Sequence, residues 1–165
     1  MADVFTKSKR SDVMSRIRSR GNKETEVALA RLLRAHGITG WRRHVQIVLK
    51  AKVAVTAVSK RPPPEGGTPN GTGLRSFRVR PDFVFKKARL AVFVDGCFWH
   101  GCPRHATRPK NNRVFWERKL SGNRQRDRLV NRMLRRAGWR VVRIWECALA
   151  KRPQAGIERI RRALE

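Results

Sequence analysis

The residues best suited to chemistry lie between Arg80 and His105. Asp82 follows Pro81 and opens an otherwise apolar run, Phe83-Val84-Phe85. A carboxylate in such a place costs stability unless it is paired or holds a cation. Hydrolysis of a phosphodiester uses carboxylates in that way, to hold a hard cation, usually Mg²⁺, together with substrate oxygens. The plainer reading is an aspartate at a strand edge after a proline, and the hexapeptide Arg80–Phe85 by itself favours it.

The next cluster is denser. Cys97, His100, Cys102 and His105 fall within nine residues, directly after the apolar run Val92-Phe93-Val94. Cys97, Cys102 and His105 are soft and imidazole ligands at zinc-like spacing. Cys147 is the remaining cysteine and completes a Cys₃His structural zinc set. His100 is then left over as a candidate base. The competing reading is three reduced, buried thiols and two surface histidines.

Phe98 and Trp99 sit in a turn bounded by Gly96 and Gly101, and Phe115 and Trp116 follow downstream. Aromatic side chains beside basic residues can wedge between base steps of a duplex. They can equally pack into the core, and composition leaves both open for Phe98, Trp99 and Trp116. Trp139 and Trp145 read as core. Arg118, Lys119, Arg124 and Arg126 belong to a basic segment suited to phosphate contacts, which position a protein without reading sequence.

The whole chain agrees with a polyanionic partner. Its 165 residues carry 40 Lys+Arg against 12 Asp+Glu, a formal net charge of +28. Such self-repulsion opposes a compact state unless a polyanion is near, and the usual polyanion is nucleic acid. Mean hydropathy is −0.58. No apolar run approaches the roughly 20 residues that span a bilayer, and no secretory leader is evident. The expected setting is the bacterial cytoplasm, near the nucleoid, with no membrane partner and a monomeric chain. In that reducing compartment metal ligation is the better use of three cysteines than a disulfide.

The elements that must position these groups are legible in outline. Residues 1–22 read as a basic arm, with one short helix over Asp12–Arg18 or none. Residues 23–165 read as a single domain. Val27, Leu29, Ala30 and Leu33 share one face of a predicted helix over Thr25–His36, with Gly37 at its C-terminal cap. Trp41–Leu49 is predicted to be extended. Residues 50–76, with Pro62-Pro63-Pro64 and several glycines, read as a flexible insertion between two strands. Asp82–Phe85 and Leu90–Val94 are predicted to form a buried hairpin. Arg113–Ala137 reads as a helix ended by Gly138, Trp139–Trp145 as a strand, and Pro153–Leu164 as a final helix. This order predicts an α/β fold with a mixed sheet flanked by helices.

Several motifs in order carry a resemblance. They are Arg-Pro-Asp-Phe-Val (80–84), Gly-Cys-Phe-Trp-His (96–100) and Phe-Trp-Glu-Arg-Lys (115–119). They continue with Arg-Asp-Arg (126–128), Gly-Trp-Arg-Val (138–141) and Trp-Glu-Cys-Ala-Leu (145–149). Together with Met-Ala-Asp-Val at the start and Arg10 to Ile17, they resemble the very-short-patch-repair (Vsr) DNA mismatch endonucleases. The resemblance covers nearly the whole chain outside residues 50–76. It implies a restriction-endonuclease-like core with a structural zinc. It also implies Mg²⁺-dependent nicking 5′ to the thymine of a T:G mismatch.

Residue by residue, the resemblance makes Asp82 the metal-binding aspartate and His100 the catalytic histidine. Glu26 reaches the metal site through water. Phe98, Trp99 and Trp116 form the wedge that opens the duplex, and Cys97 and Cys147 ligate zinc; Cys102 with His105 is the best assignment for the other two ligands. One well-known member has Thr-His where this chain has Val94-Asp95. A metal contact through the Val94 carbonyl survives that change. A second histidine does not, so Asp95 is expected to bind metal or to orient His100. The expected partners are mismatched double-stranded DNA and other mismatch-repair proteins. The alternatives are a related nuclease acting on other modified or foreign DNA, and a zinc-stabilised DNA-binding module without catalysis.

Overall fold

The computed structural model describes residues 25–52, 74–107, 109 and 111–165. The basic arm over 1–22 and the interior of the expected insertion therefore lie outside the described residues.

The first helix, α1 (Glu26–Ala35), buries Leu29, Ala30 and Leu33 as the periodicity requires. Gly37 adopts φ +66°, and the N–H groups of Gly37 and Ile38 return to Arg34 and Leu33 carbonyls at 3.0 and 2.8 Å. That pairing closes the helix as a Schellman motif, which favours a residue without Cβ at the left-handed position. Gly138 (φ +75°) ends the long helix near the C-terminus in the same way, with N–H bonds from Gly138 to Arg135 and from Trp139 to Leu134.

Among the described residues, six strands follow α1: β1 (Trp41–Arg43), β2 (Ile47–Lys52), β3 (Leu74–Val79), β4 (Phe83–Phe85), β5 (Leu90–Asp95) and β6 (Arg140–Trp145). β1, β4, β5 and β6 form one sheet in that order. The β1–β4 and β4–β5 pairs are antiparallel and β5–β6 is parallel. The remaining helices are α2 (Cys97–His100), α3 (Arg113–Arg136), α4 (Glu146–Lys151) and α5 (Pro153–Leu164).

Alternation along β4 and β5 divides the core. Phe83, Phe85, Leu90 and Val92 pack with α1 and α5 on one face of the sheet. Val84 and Ala91 face the other side, against Leu134 of α3 and Ile47, Leu49 and Val79 of the β2–β3 pair. The central strands are buried on both faces, which explains why they read as continuous apolar runs. The result is a mixed four-stranded sheet flanked by helices.

Both ends of the stretch read as an insertion over 50–76 are strand. Lys50, Ala51 and Lys52 pair with Ser76, Arg75 and Leu74 in a separate two-stranded antiparallel sheet. Lys50 and Ser76 are exposed. Two short helices also replace expected irregular chain: α2 in the Gly-bounded turn, and α4 after β6.

Candidate active site and metal centres

Asp82 stands just before β4, and its Oδ2 accepts the N–H of Val94 on β5 at 2.7 Å. The contact between these residues thus runs through the Val94 N–H. Burial, partly countered by that hydrogen bond and aggravated by the Glu26 carboxylate, pushes the Asp82 carboxyl up to about 6. A carboxylate raised by desolvation and by a neighbouring carboxylate is relieved by a bound cation.

Glu26 opens α1 and is buried. Its Oε2 receives both the Arg43 Nη2 at 2.7 Å and the His44 Nε2 at 2.9 Å. His44 is a non-glycine residue at φ +53°, and its backbone N–H donates to the Asp82 carbonyl at 3.2 Å. That left-handed conformation costs of order 1–2 kcal/mol and is the kind of strain that clusters at functional sites. Glu26, His44 and Asp82 each offer a ligand atom, all within 4.8 Å of one another. Two carboxylates and an imidazole suit a divalent cation.

His100 ends α2, and its Nδ1 lies 2.7 Å from Asp127 Oδ2 on α3. Asp95 Oδ1 is 3.8 Å from the same nitrogen, too far for a hydrogen bond. Burial opposes the charged imidazole, but the Asp127 hydrogen bond and the charges of Asp95 and Asp127 outweigh it and raise the His100 pKa. Asp127 anchors Nδ1 and so leaves Nε2 as the exchangeable position, the histidine–carboxylate logic of general acid–base catalysis.

Asp95 sits differently from its expected place. It is buried and bound through both oxygens to Arg143, at 2.6 Å each. It stands outside the Glu26–His44–Asp82 group, and both of its oxygens are taken by a guanidinium fork. It is also outcompeted by Asp127 for the role of orienting His100.

Glu26, Asp82, Val94, Asp95, Trp99 and His100 nevertheless line one open cleft of about 1140 Å³. The cleft's rim carries aromatic side chains. The Phe98 ring meets Trp99 and Trp116 at 5.0 and 5.4 Å, and Trp99 lies 6.1 Å from Trp116. None of the three belongs to either apolar core cluster. Phe115, 58% exposed, extends the group edge-on to Trp116 at 5.3 Å. Arg118, Lys119, Arg124 and Arg126 are exposed on α3, and Arg126 also lines the cleft.

Cys97, Cys102, His105 and Cys147 form the second group, their ligand atoms all within 4.8 Å of one another. Cys102 Sγ is 3.8 Å from both Cys147 Sγ and His105 Nδ1. A tetrahedron with Zn–S bonds of about 2.3 Å has S···S edges of about 3.8 Å. The cysteines are unbridged. Burial pushes the Cys97 thiol up, while backbone N–H groups of Arg104 and His105 and the His105 ring bring Cys102 down to about 6 against its own burial. Clustered sulfurs that cannot all ionise alone are what a dication relieves. The cluster therefore fits a structural zinc, and it ties α2 to α4.

Two polar contacts make that turn rigid. Glu146 Oε1 accepts the Cys97 N–H at 2.7 Å, at the start of α2. Asn123 Nδ2 donates to the Trp99 carbonyl at 3.0 Å.

Sequence reasoning missed four residues here: His44, Asp127, Arg143 and Glu146. Asp127 carried a usable signal, one of two acids in the basic run of α3. Arg143 carried another, a charge interrupting the apolar strand β6. His44 and Glu146 carried none, because their partners lie on distant elements.

Comparison with known proteins agrees with this geometry. The family model described as "DNA mismatch endonuclease Vsr" matches residues 2–55 and 73–106, leaving the intervening stretch out. The chain is 54% identical over 69 residues to the "Type II nicking enzyme V.NaeI" of Lentzea aerocolonigenes, covering 42% of each chain. It is 39% identical over 103 residues to the "DNA mismatch endonuclease Vsr" of Escherichia coli K12, covering 58% of this chain and 65% of that one. In both cases the chain spans less than two thirds of the relative's length. Against the "Type II nicking enzyme V.NmeAIP" of Neisseria meningitidis serogroup A it is 31% identical over 151 residues, 90% of this chain and 85% of the relative. With a matched family model over more than half its length and a relative aligned almost end to end, the chain belongs to the Vsr DNA mismatch endonuclease family.

Proposed function

We propose that this protein nicks one strand of double-stranded DNA by Mg²⁺-dependent hydrolysis of a phosphodiester. The observation that carries the reading is that Asp82 and the Asp127-anchored His100 line one cleft, beside a half-buried aromatic group. A DNA-binding module without catalysis has no use for Asp82 and buried Glu26 gathered beside a histidine.

Asp82, with Glu26, His44 and the Val94 carbonyl, would hold the Mg²⁺. A cation held there would supply Lewis-acid charge to phosphodiester hydrolysis. Glu26 and His44 orient water at that end of the cleft. His100 moves a proton through Nε2 while Asp127 holds Nδ1. Phe98, Trp99 and Trp116 enter the duplex beside the scissile step and open it. Arg118, Lys119, Arg124 and Arg126 bind backbone phosphates. Cys97, Cys102, His105 and Cys147 would hold a structural zinc that fixes the wedge relative to His100.

Two substrates fit this machinery. One is the T:G mismatch, nicked 5′ to the thymine. The other is a different modified or foreign DNA site, and it is favoured by relatives that carry the name of type II nicking enzymes. Asp95 in place of a histidine, bound to Arg143 near His100, also favours an altered specificity. A nicking assay on T:G, C:G and other mismatched duplexes, with Mg²⁺ or EDTA, separates them. Nicking confined to T:G supports mismatch repair. Equal nicking of every duplex would sink the mismatch reading while keeping the nuclease. Retained nicking by Asp82→Ala would overturn the mechanism.

A further inference from the structure

Arg143 interrupts the apolar run of β6, in register with Phe93 of β5. Its Nε and one Nη bind the two oxygens of Asp95 at 2.6 Å each. The same Nη2 reaches Asp127 Oδ1 at 2.9 Å, and Nη1 reaches Asn131 Oδ1 at 3.2 Å. The Phe93 ring lies 4.8 Å from the guanidinium carbon. Arg143 therefore lines a cleft suited to a phosphodiester, yet all three of its nitrogens are engaged within the protein. It is placed to organise the site and not to grip the substrate.

Asp127 uses its two oxygens for two partners. Oδ1 takes Arg143, and Oδ2 takes His100 Nδ1 at 2.7 Å. A continuous chain Asp95–Arg143–Asp127–His100 thus joins β5, β6, α3 and α2. Without the guanidinium, two neighbouring carboxylates would repel each other, and both would compete for one imidazole nitrogen. With it, Asp95 is occupied and Asp127 cannot rotate away.

We propose that Arg143 is the positioning residue for His100, clamping Asp127 against Asp95 so that the imidazole presents Nε2 to the scissile phosphodiester. This rests on the nuclease reading above. Asp95 is then the anchor of that clamp and not a ligand.

The test uses the full chain with Arg143→Met, Arg143→Lys and Asp95→Asn. Three quantities are read: the single-turnover nicking rate at saturating DNA, the DNA affinity with its salt dependence, and the NMR signal of the hydrogen-bonded His100 Nδ1–H. Arg143→Met is expected to slow nicking by about 100-fold, as small misplacements of catalytic groups do. Affinity and salt dependence should stay unchanged, and the Nδ1–H signal should be lost. Arg143→Lys should restore part of both rate and signal. Weaker binding with a salt slope smaller by about one would overturn the proposal, since it marks a phosphate contact. Unchanged rate and signal would overturn it too. If Arg143→Met does not fold, Asp95→Asn replaces it, because it keeps side-chain volume and breaks only the charged fork. It should slow nicking and weaken the signal, and no change in either sinks the clamp. If the wild type nicks no duplex, the nuclease reading fails, while the response of the Nδ1–H signal still decides the clamp.

Discussion

His44 Nε2 lies 2.9 Å from Glu26 Oε2, and the His44 backbone is held left-handed at φ +53°. The strain and the function can be separated at this position. His44→Gly removes the imidazole and relieves the backbone, whereas His44→Ala removes the imidazole and keeps the strain. We expect both to weaken Mg²⁺ or Mn²⁺ binding by about 10-fold or more, as loss of a metal-site partner does. The glycine variant should be more stable than the alanine variant by about 1 kcal/mol. Calorimetric cation titration and thermal melts of the two variants check this, and equal cation affinity in wild type and both variants counts against His44 in the site.

Cys147 joins α4 to the turn that carries the aromatic group. Purified protein is expected to contain one zinc per chain, and Cys147→Ser to lose it together with much of its thermal stability. Structural zinc sites couple metal binding directly to folding. Elemental analysis alongside a melting curve reads both, and a zinc-free wild type with an unchanged melt would remove the zinc assignment.

Trp99 and Trp116 face each other at 6.1 Å outside the core. Trp99→Ala should leave the melting temperature nearly unchanged and weaken binding to duplex DNA. Loss of one stacked base contact is worth about 1–3 kcal/mol, or roughly 5- to 150-fold. A large drop in stability with unchanged DNA affinity would return these residues to a packing role.

Arg118, Lys119, Arg124 and Arg126 are expected to bind phosphates. Each Ala substitution should weaken binding alike across sequences and lower the slope of log affinity against log salt by about 0.9. A variant that changes base preference instead would place that side chain at a base edge.

Asp127 links stability to pH. Burial raises its carboxyl, but the hydrogen bond from His100 and the Arg143 charge overcome this and hold it below the ordinary aspartate range. A carboxyl lowered on folding stabilises the protein above its unfolded-state pKa, and that contribution disappears as pH falls through the folded value. The stability gap between wild type and Asp127→Asn should therefore be full near pH 6 and close in strong acid. Acid loss of zinc affects both proteins alike, so urea melts of the pair across that range isolate the carboxylate. A gap that widens as pH falls would contradict the sign.

Much of the frame was legible in the order of residues. The 3.6-residue apolar stripe of α1, the glycines at 37 and 138 and the doubly buried strands β4 and β5 are local signals. Each is set by backbone geometry and by which side chains avoid water. The tight run from Cys97 to His105 pointed to a metal site, since soft ligands so close together have few other uses.

The partners inside the cleft were decided by the tertiary structure. Asp95 reads in sequence as a metal ligand or an orienter of His100, and parallel pairing of β5 with β6 sets Arg143 beside it, bound to both of its oxygens. His100 finds its carboxylate 27 residues away on α3, and Glu26 finds His44 across the turn after β1. Hydrogen bonds and ion pairs depend on side-chain positions to within a fraction of an ångström. Local sequence sets the elements, and only their packing brings the charges of separate elements within that distance.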